Sequence, residues 1–171
     1  LSQMDFGRVE RAKLDLIDFS FPSEPETNKN VLSGKNTATK YYVGLSKWGK
    51  KEWIGKLYPK GTKEKDFLNE YIKHYNCIEL NATHYKLYRP SEIGNWMEKA
   101  NSYDFRFAPK VYQGISHFGS LTEKQFLTDT FLDTLANFKQ KLGGTFLQVS
   151  DKFSPKRKEE LFAYLETLPK D

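Results

Sequence analysis

The sequence is poor in residues that would crosslink the chain or carry it into a membrane. It has one cysteine, Cys77, among 171 residues, so no internal disulfide can form. Cys77 lies in a predicted strand among apolar neighbours, and we expect a buried, reduced thiol that suits a reducing cytoplasm. No apolar run approaches the roughly 20 residues that span a bilayer. The amino end does not resemble a signal peptide, so we predict a cytoplasmic protein without a membrane partner.

Motifs of several common function classes are absent as well. The sequence contains no phosphate-binding loop, dinucleotide fingerprint, nucleophile elbow or zinc-binding cysteine set, and it therefore names no cofactor. The three histidines, His74, His84 and His117, fall on separate predicted elements without close ligand spacing. We predict no metal site, unless Glu79 with His84 or His117 shares a metal with a ligand from the rest of a longer protein.

The composition is that of one soluble globular domain. Hydrophobic residues make up 38% and charged residues 29% of the chain. The net charge is +5, and lysines are densest from Lys47 to Lys65, where they alternate with Trp48, Trp53 and Tyr58. Basic residues between aromatic ones suit a nucleic-acid surface, but a solvated loop with a few anchoring aromatic residues has the same composition.

The pattern of apolar residues divides the chain near residue 40. Residues 1–40 show no sustained period, and we predict an extension that packs on the domain through Leu16, Phe19 and Phe21 and is mobile from about residue 24 to 39. From residue 41 onward strands and helices alternate. The predicted strands are 41–46, 77–83, 105–110 and 145–150, and the predicted helices are 63–75, 90–100, 122–142 and 154–168.

Four successive strand–helix units predict an α/β domain with a parallel sheet. Small or polar residues occupy one alternating face of every predicted strand, as Glu79 and Asn81 do in the second strand. A doubly wound sheet buries both faces under helices, whereas a barrel has helices on one face only. The pattern therefore favours a TIM barrel over a small doubly wound sheet.

Short motifs from residue 42 to residue 169 resemble the YecE-like family, also called domain of unknown function 72. The matching motifs are Val43-Gly44-Leu45-Ser46-Lys47-Trp48, Trp53-Ile54-Gly55, Tyr58-Pro59-Lys60-Gly61, Ile78-Glu79-Leu80-Asn81-Ala82-Thr83-His84-Tyr85, Phe105-Arg106-Phe107-Ala108-Pro109-Lys110, Ile115-Ser116-His117, Leu142-Gly143-Gly144 and Leu147-Gln148. There is one departure: Val149, Ser150 and Asp151 stand where the family usually has a leucine and a proline pair, so the loop after strand four is expected to differ.

The resemblance implies a TIM barrel. A complete barrel needs eight strands and about 250 residues. We therefore expect residues 41–171 to be the first half of such a domain, with the first four strands. A half-barrel would expose two sheet edges and an open lumen, which predicts self-association of this chain.

In TIM barrels the chemistry lies at the carboxyl ends of the strands. We predict Glu79 as a general base or hydrogen-bond acceptor, Lys110 as the ligand of a phosphate or carboxylate, and His117 as a proton shuttle. The predicted substrate-binding residues are Trp48, Asn81, Thr83, Tyr85 and Gln148. The side chains of Glu79, Asn81, Lys110 and Gln148 are expected to converge on one polar pocket, with Trp48, Tyr85 and His117 at its rim.

The alternative is a purely structural network, in which Glu79 pairs with Lys110 or Arg106 and Asn81 satisfies backbone groups. Two function classes also stay open. The first is an enzyme that takes a small phosphorylated or polyhydroxylated substrate at the mouth of the barrel. The second is a nucleic-acid-binding protein that uses the segment from Lys47 to Lys65. Neither the resemblance nor the fold names a reaction.

Overall fold

The chain forms two compact units, Leu1–Thr39 and Lys40–Asp171. A computed structural model describes residues 10–18, 20–21, 23–31 and 39–169, without the side chains of residues 29–31. Within these ranges no helix is both long enough and apolar enough to cross a membrane.

The first unit contains short helical segments. Arg11–Leu16 form a 3-10 helix, and Glu26–Val31 form helix α1. Phe19 and residues 32–38, which belong to the predicted extension, lie outside the described residues.

The second unit is built on a parallel sheet of three strands that lie side by side in chain order. These are β1 (Gly44–Leu45), β2 (Cys77–Leu80) and β3 (Arg106–Pro109). Cys77 of β2 pairs with Gly44 on one side and with Arg106 on the other. The prediction of an α/β fold with parallel strands is therefore confirmed.

Short helices connect the strands and follow them. The α-helices are α2 (Phe67–Tyr71), α3 (Ala82–Tyr85), α4 (Pro90–Ala100), α5 (Gln113–Ser116), α6 (Gln125–Ala136) and α7 (Lys158–Glu166), and the 3-10 helices are Lys51–Trp53, Glu64–Asp66, Leu121–Glu123, Lys139–Lys141 and Pro155–Arg157. Helix α4 begins at Pro90 as predicted, because the fixed φ of proline suits the first helical position.

The two faces of the sheet differ in burial. Ile78, Leu80 and Phe107 are buried on one face, where they join the hydrophobic core. Glu79, on the other face, is exposed and lies in register with the half-buried Ala108. Because successive strand residues point to opposite faces, the alternation in the sequence becomes one apolar and one polar face.

The side chain of Tyr71 in α2 connects β1 and β2 by hydrogen bonds. Its hydroxyl accepts a hydrogen bond from the Leu45 amide at 2.6 Å and donates one to the Cys77 carbonyl at 2.9 Å. The side chain is fully buried, and burial raises the pKa of Tyr71 to about 12. The neutral hydroxyl therefore acts as a fixed bridge between β1 and β2.

The first and second strands are shorter than predicted. The side chain of Asn76 accepts a hydrogen bond from the Val43 amide and donates one to the Tyr41 carbonyl. These two backbone groups are therefore not available for the strand hydrogen bonds that would extend β1 toward residue 41. Strand β2 ends at Leu80, and the chain turns into α3 where the prediction continued the strand to residue 83.

The predicted fourth strand does not form a continuous ladder among the described residues. Two isolated parallel bridges, Phe107 with Leu142 and Lys110 with Phe146, place this segment beside β3. Between the two bridges the Gly143 amide donates to the Phe107 carbonyl at 2.7 Å. The segment therefore runs parallel to β3, as the predicted parallel sheet requires, but it lacks the regular hydrogen bonding of a strand.

The boundaries of the last two predicted helices need correction. Helix α6 runs from Gln125 to Ala136, whereas the predicted helix ran from 122 to 142, and Thr122 lies in a separate 3-10 turn. Ser154 caps the 3-10 turn Pro155–Arg157, since its hydroxyl accepts a hydrogen bond from the Lys156 amide. In α7 the buried residue is Tyr164, whereas Phe162 is 53% exposed.

Candidate functional site

A cavity of about 470 Å³ opens at the carboxyl ends of β1 and β2. It is lined by Ser46, Lys47, Trp48, Gly49, Ile78, Glu79, Leu80, Asn81, Ala82 and Tyr85. Four of the eight predicted site residues, Trp48, Glu79, Asn81 and Tyr85, are in this lining. Its volume lies within the range of small-molecule pockets, about 300–1,000 Å³.

The polar side of the cavity is a carboxylate next to an amide. Asn81 Nδ2 donates to Glu79 Oε1 at 2.9 Å and lies 3.4 Å from the Ser46 carbonyl oxygen. Glu79 forms no ion pair with a described residue, and its Oε2 has no protein partner among them. Oε2 of Glu79 is therefore available as an acceptor, while the hydrogen bond from Asn81 to Oε1 holds the carboxylate in place.

Aromatic side chains form the other side of the cavity. Trp48 packs edge-on against Trp96 with 5.7 Å between ring centroids, and its carbonyl accepts a hydrogen bond from the buried Tyr58 hydroxyl at 2.8 Å. Tyr85 at the end of α3 is 68% exposed and contacts the His84 ring edge-on. Rings held in this way provide flat apolar surfaces on which a ligand can stack.

Lys110 and Gln148 form a separate pair. Lys110 Nζ donates to Gln148 Oε1 at 2.5 Å, and neither residue lines the cavity beside Glu79. Arg106, the other predicted cation partner of Glu79, instead forms an ion pair with Asp104 at 2.9 Å. The described residues therefore do not form the structural network in which Glu79 is neutralised by Lys110 or Arg106.

Thr83 and His84 point into the protein rather than into the cavity. The Thr83 side chain is 1% exposed, and its hydroxyl lies 2.8 Å from the carbonyl oxygens of both Leu80 and Lys110. His84 Nδ1 lies 2.7 Å from the Val111 carbonyl oxygen, which can only accept a hydrogen bond. Burial, with the nearby charges of Lys110 and His117, lowers the pKa of His84. Both side chains connect α3 to the chain after β3.

His117 lies at a second cavity of about 330 Å³. Its Nδ1 is 2.8 Å from the Ser116 hydroxyl oxygen, and its ring packs edge-on against His84 at 4.7 Å between centroids. The two cavities share no lining residue. The structure thus divides the eight predicted site residues among the first cavity, the second cavity, the Lys110–Gln148 pair and the buried Thr83.

A third cavity, of about 540 Å³, differs in chemistry. It lies between α6, α7 and the chain after Leu142, and it is lined mainly by apolar side chains such as Phe131, Leu135 and Leu168. Its lining contains neither a carboxylate nor a cation.

The lysine-rich segment from Lys47 to Lys65 has few exposed rings. Tyr58 is buried in the core, and Trp53 packs edge-on against it at 5.6 Å. One of the lysines, Lys51, forms an ion pair with Glu64 at 2.6 Å. The aromatic residues of this segment thus anchor the loop to the core.

Metal-binding side chains do not cluster in the described part of the chain. No three histidine, cysteine, aspartate or glutamate side chains there lie close enough together to hold an ion. Cys77 is half-buried, and burial raises the pKa of its thiol.

Comparison with known proteins decides the family. A family model described as "Protein of unknown function DUF72" matches residues 42–171. The chain belongs to the DUF72 family. The predicted relationship to YecE-like proteins is therefore confirmed, and the motifs from Val43 to Gln148 lie within the DUF72 region.

Two curated UPF0759 proteins match parts of the chain. The UPF0759 protein YecE of Escherichia coli strain K12 is 33% identical over 128 residues, which are 75% of this chain and 44% of YecE. The UPF0759 protein YunF of Bacillus subtilis strain 168 is 31% identical over 75 residues, 44% of this chain and 25% of YunF. The chain thus spans less than half the length of each of these relatives.

A solved DUF72 structure has a similar fold. The crystal structure of a DUF72 family protein from Enterococcus faecalis V583 matches with a TM-score of 0.52 and 22% sequence identity. The match covers 75% of this chain and 48% of that protein.

Sequence reasoning missed several residues of the second cavity. Ser150, Lys152 and Arg157 line it beside His117. No local pattern marks them, because they come from a loop and a 3-10 turn more than 30 residues along the chain.

Proposed function

We propose that the DUF72 region of this chain is the first half of a TIM-barrel enzyme domain. On this proposal its substrate is a polyhydroxylated or phosphorylated small molecule that binds at the carboxyl ends of the strands. The parallel strands in chain order, with one buried face and one polar face, support the barrel. Strands from the rest of a longer protein would close the sheet over the exposed face of Glu79.

The observation that carries the proposed activity is the cavity beside Glu79. It combines a carboxylate that has no cation partner among the described residues, an adjacent amide from Asn81, and the rings of Trp48 and Tyr85. An isolated structural carboxylate in this position would gain nothing from aromatic rings that line the same cavity. A ligand with hydroxyl groups around an apolar ring face would use all four side chains.

Each side chain then has a defined task. The Glu79 carboxylate accepts a proton or a hydrogen bond from a substrate hydroxyl, and the Asn81 amide keeps that carboxylate in position. Trp48 and Tyr85 bind the apolar face of the substrate and keep water away from it. Lys47 lies at the same cavity and attracts an anionic substituent.

The alternative, nucleic-acid binding through the segment from Lys47 to Lys65, has less support. Base stacking needs exposed rings, and Tyr58 and Trp53 of this segment pack into the core instead. The enzyme proposal uses side chains that face a cavity.

A ligand screen tests the proposal. Saturation-transfer NMR on the full chain with polyols, monosaccharides and sugar phosphates is expected to identify a bound compound. Replacing Glu79 by glutamine keeps the shape of the side chain and removes its charge. We expect the affinity of the variant for the bound compound to fall roughly tenfold, because one hydrogen bond to a charged group is lost.

Glu98→Gln is the matched control. Glu98 is exposed on α4, away from the cavity, so this variant loses the same charge and should bind like the wild type. Equal binding by wild type and Glu79→Gln, or no bound compound in any class, would contradict the proposal.

A further inference from the structure

The cavity beside His117 is lined by hydrogen-bond donors and cations. Its lining is Ser116, His117, Gly119, Leu121, Ser150, Lys152, Phe153 and Arg157. The lining includes a lysine, an arginine and a histidine but no carboxylate. A cavity with this composition favours an anion over a neutral or cationic ligand.

Arg157 is held in a fixed orientation at the edge of this cavity. Its Nε and Nη2 donate to the two carboxylate oxygens of Glu160 at 2.7 Å each, and Nη2 also donates to the Gly119 carbonyl at 2.9 Å. The guanidinium lies 4.5 Å from the centroid of the Phe153 ring. Among the described residues, Nη1 has no partner. The cation is thus preorganised and keeps one nitrogen for a ligand.

Glu160 holds the Arg157 guanidinium in this orientation and does not compete with it for a ligand. It also accepts hydrogen bonds from the Leu121 amide at 2.7 Å and the Ser120 hydroxyl at 2.8 Å. The guanidinium of Arg157 and these donors lower the pKa of Glu160 to about 2, so its charge is fully present at neutral pH. Its hydrogen bonds come from Arg157, the Ser120 hydroxyl and the Leu121 amide, and it is not in the cavity lining.

The other donors carry no competing partner. Lys152 is exposed and forms no ion pair with a described residue. His117 contacts Ser116 through Nδ1, which leaves Nε2 without a protein partner in the described part of the chain. Lys124 lies near the same edge, because a Cβ built on Gly119 would come within 3.4 Å of its ammonium nitrogen.

We infer that this cavity binds the phosphoryl group of a small phosphate monoester, with His117, Lys152 and Arg157 as its ligands. A monoester carries nearly two negative charges at neutral pH and three acceptor oxygens, which match three separate donors. The volume of about 330 Å³ accommodates a phosphoryl group with a few attached atoms rather than a nucleic-acid strand. The inference does not depend on the proposed role of Glu79, whose cavity is separate.

Inorganic phosphate is the first probe. It is titrated into the full chain at constant ionic strength while the ring signals of the three histidines are followed by NMR. The signal that disappears in the His117→Gln variant is assigned to His117. We expect a saturable shift of the His117 signal and none of the exposed His74. Glycerol phosphate should shift the same signal, whereas the singly charged diester dimethyl phosphate should bind more weakly.

Lys152→Gln is expected to weaken phosphate binding roughly tenfold, because one charge-assisted hydrogen bond is lost. Lys156→Gln is the matched control, since Lys156 is exposed, has the same charge and does not line the cavity. Glu79→Gln should bind phosphate like the wild type even if the proposed activity at the first cavity is wrong.

Three outcomes would overturn the inference. They are a shift reproduced by chloride at the same ionic strength, equal weakening by Lys152→Gln and Lys156→Gln, and no saturable shift of the His117 signal. Stronger binding of an oligonucleotide than of glycerol phosphate, sensitive to Lys152→Gln, would assign the cavity to a phosphodiester instead.

Discussion

The Asn81 amide donates a hydrogen bond to the Glu79 carboxylate, with 2.9 Å between Nδ2 and Oε1. Glu79 is the penultimate residue of β2, and Asn81 is the residue immediately before α3. No described cation lies close enough to form an ion pair with Glu79. The carboxylate is therefore held by the neutral Asn81 amide. A salt bridge in its place would have made the carboxylate unavailable to a ligand.

Glu79→Gln should change the free energy of unfolding by less than about 1 kcal/mol, because glutamine keeps an oxygen acceptor for Asn81 and no salt bridge is lost. Urea denaturation of the variant measures this. A loss of roughly 3–5 kcal/mol would mean that Glu79 belongs to a buried ion pair.

Thr83→Val should destabilise the chain by about 1–3 kcal/mol, since it removes a buried hydroxyl between the Leu80 and Lys110 carbonyl oxygens. Urea denaturation again gives the difference. Thr122→Val, at an exposed position, is the control and should stay within about 0.5 kcal/mol of the wild type. Equal effects of the two variants would argue against the bridging role of Thr83.

Two glycines should respond to alanine in opposite directions. A Cβ at Gly44 would lie 2.0 Å from the Cys77 carbonyl oxygen, so Gly44→Ala must separate β1 from β2 and should destabilise by roughly 1–3 kcal/mol. Gly94 lies within α4, and a Cβ there would have no heavy atom within 4 Å apart from its chain neighbours and the adjacent backbone of its own helix. Gly94→Ala should stabilise by about 0.5–1 kcal/mol. Thermal unfolding of both variants would show shifts of opposite sign; a shift of the same sign contradicts the expectation.

Stability should fall as the pH decreases below about 6.5, the usual pKa of an unfolded histidine. Burial lowers the pKa of His84 in the folded chain, so the unfolded chain binds more protons in this range and protonation favours unfolding. His84→Gln should flatten the curve of unfolding free energy between about pH 7 and 5, whereas His74→Gln, at an exposed position, should leave its slope unchanged.

The nucleic-acid alternative predicts a steep decrease of oligonucleotide affinity with salt, because each phosphate contact releases a counterion. We expect weak binding and a shallow slope, since Tyr58 is buried and Lys51 is paired with Glu64. Fluorescence anisotropy at two salt concentrations decides. A steep slope that is reduced in a Lys56→Gln, Lys60→Gln double variant would favour the alternative.

The sequence by itself determined the class of fold and the first pair of site residues. The alternation at Ile78, Glu79 and Leu80 predicts a strand with one apolar face, and Pro90 marks the start of a helix. Glu79 and Asn81 are two residues apart, so local geometry alone brings their side chains together. The family motifs are likewise a property of the sequence, and the DUF72 match agrees with them.

Tertiary structure decided the partners of the other polar residues. Lys110 contacts Gln148, 38 residues along the chain, because the segment after Leu142 lies beside β3. Thr83 became a buried bridge because the chain turns into α3 after Leu80, a turn that the strand-like pattern of residues 77–83 does not reveal. Arg157 reached the cavity of His117 through the packing of a distant turn. Periodicity reports which face a residue occupies, whereas the contact across that face depends on how separate elements pack together.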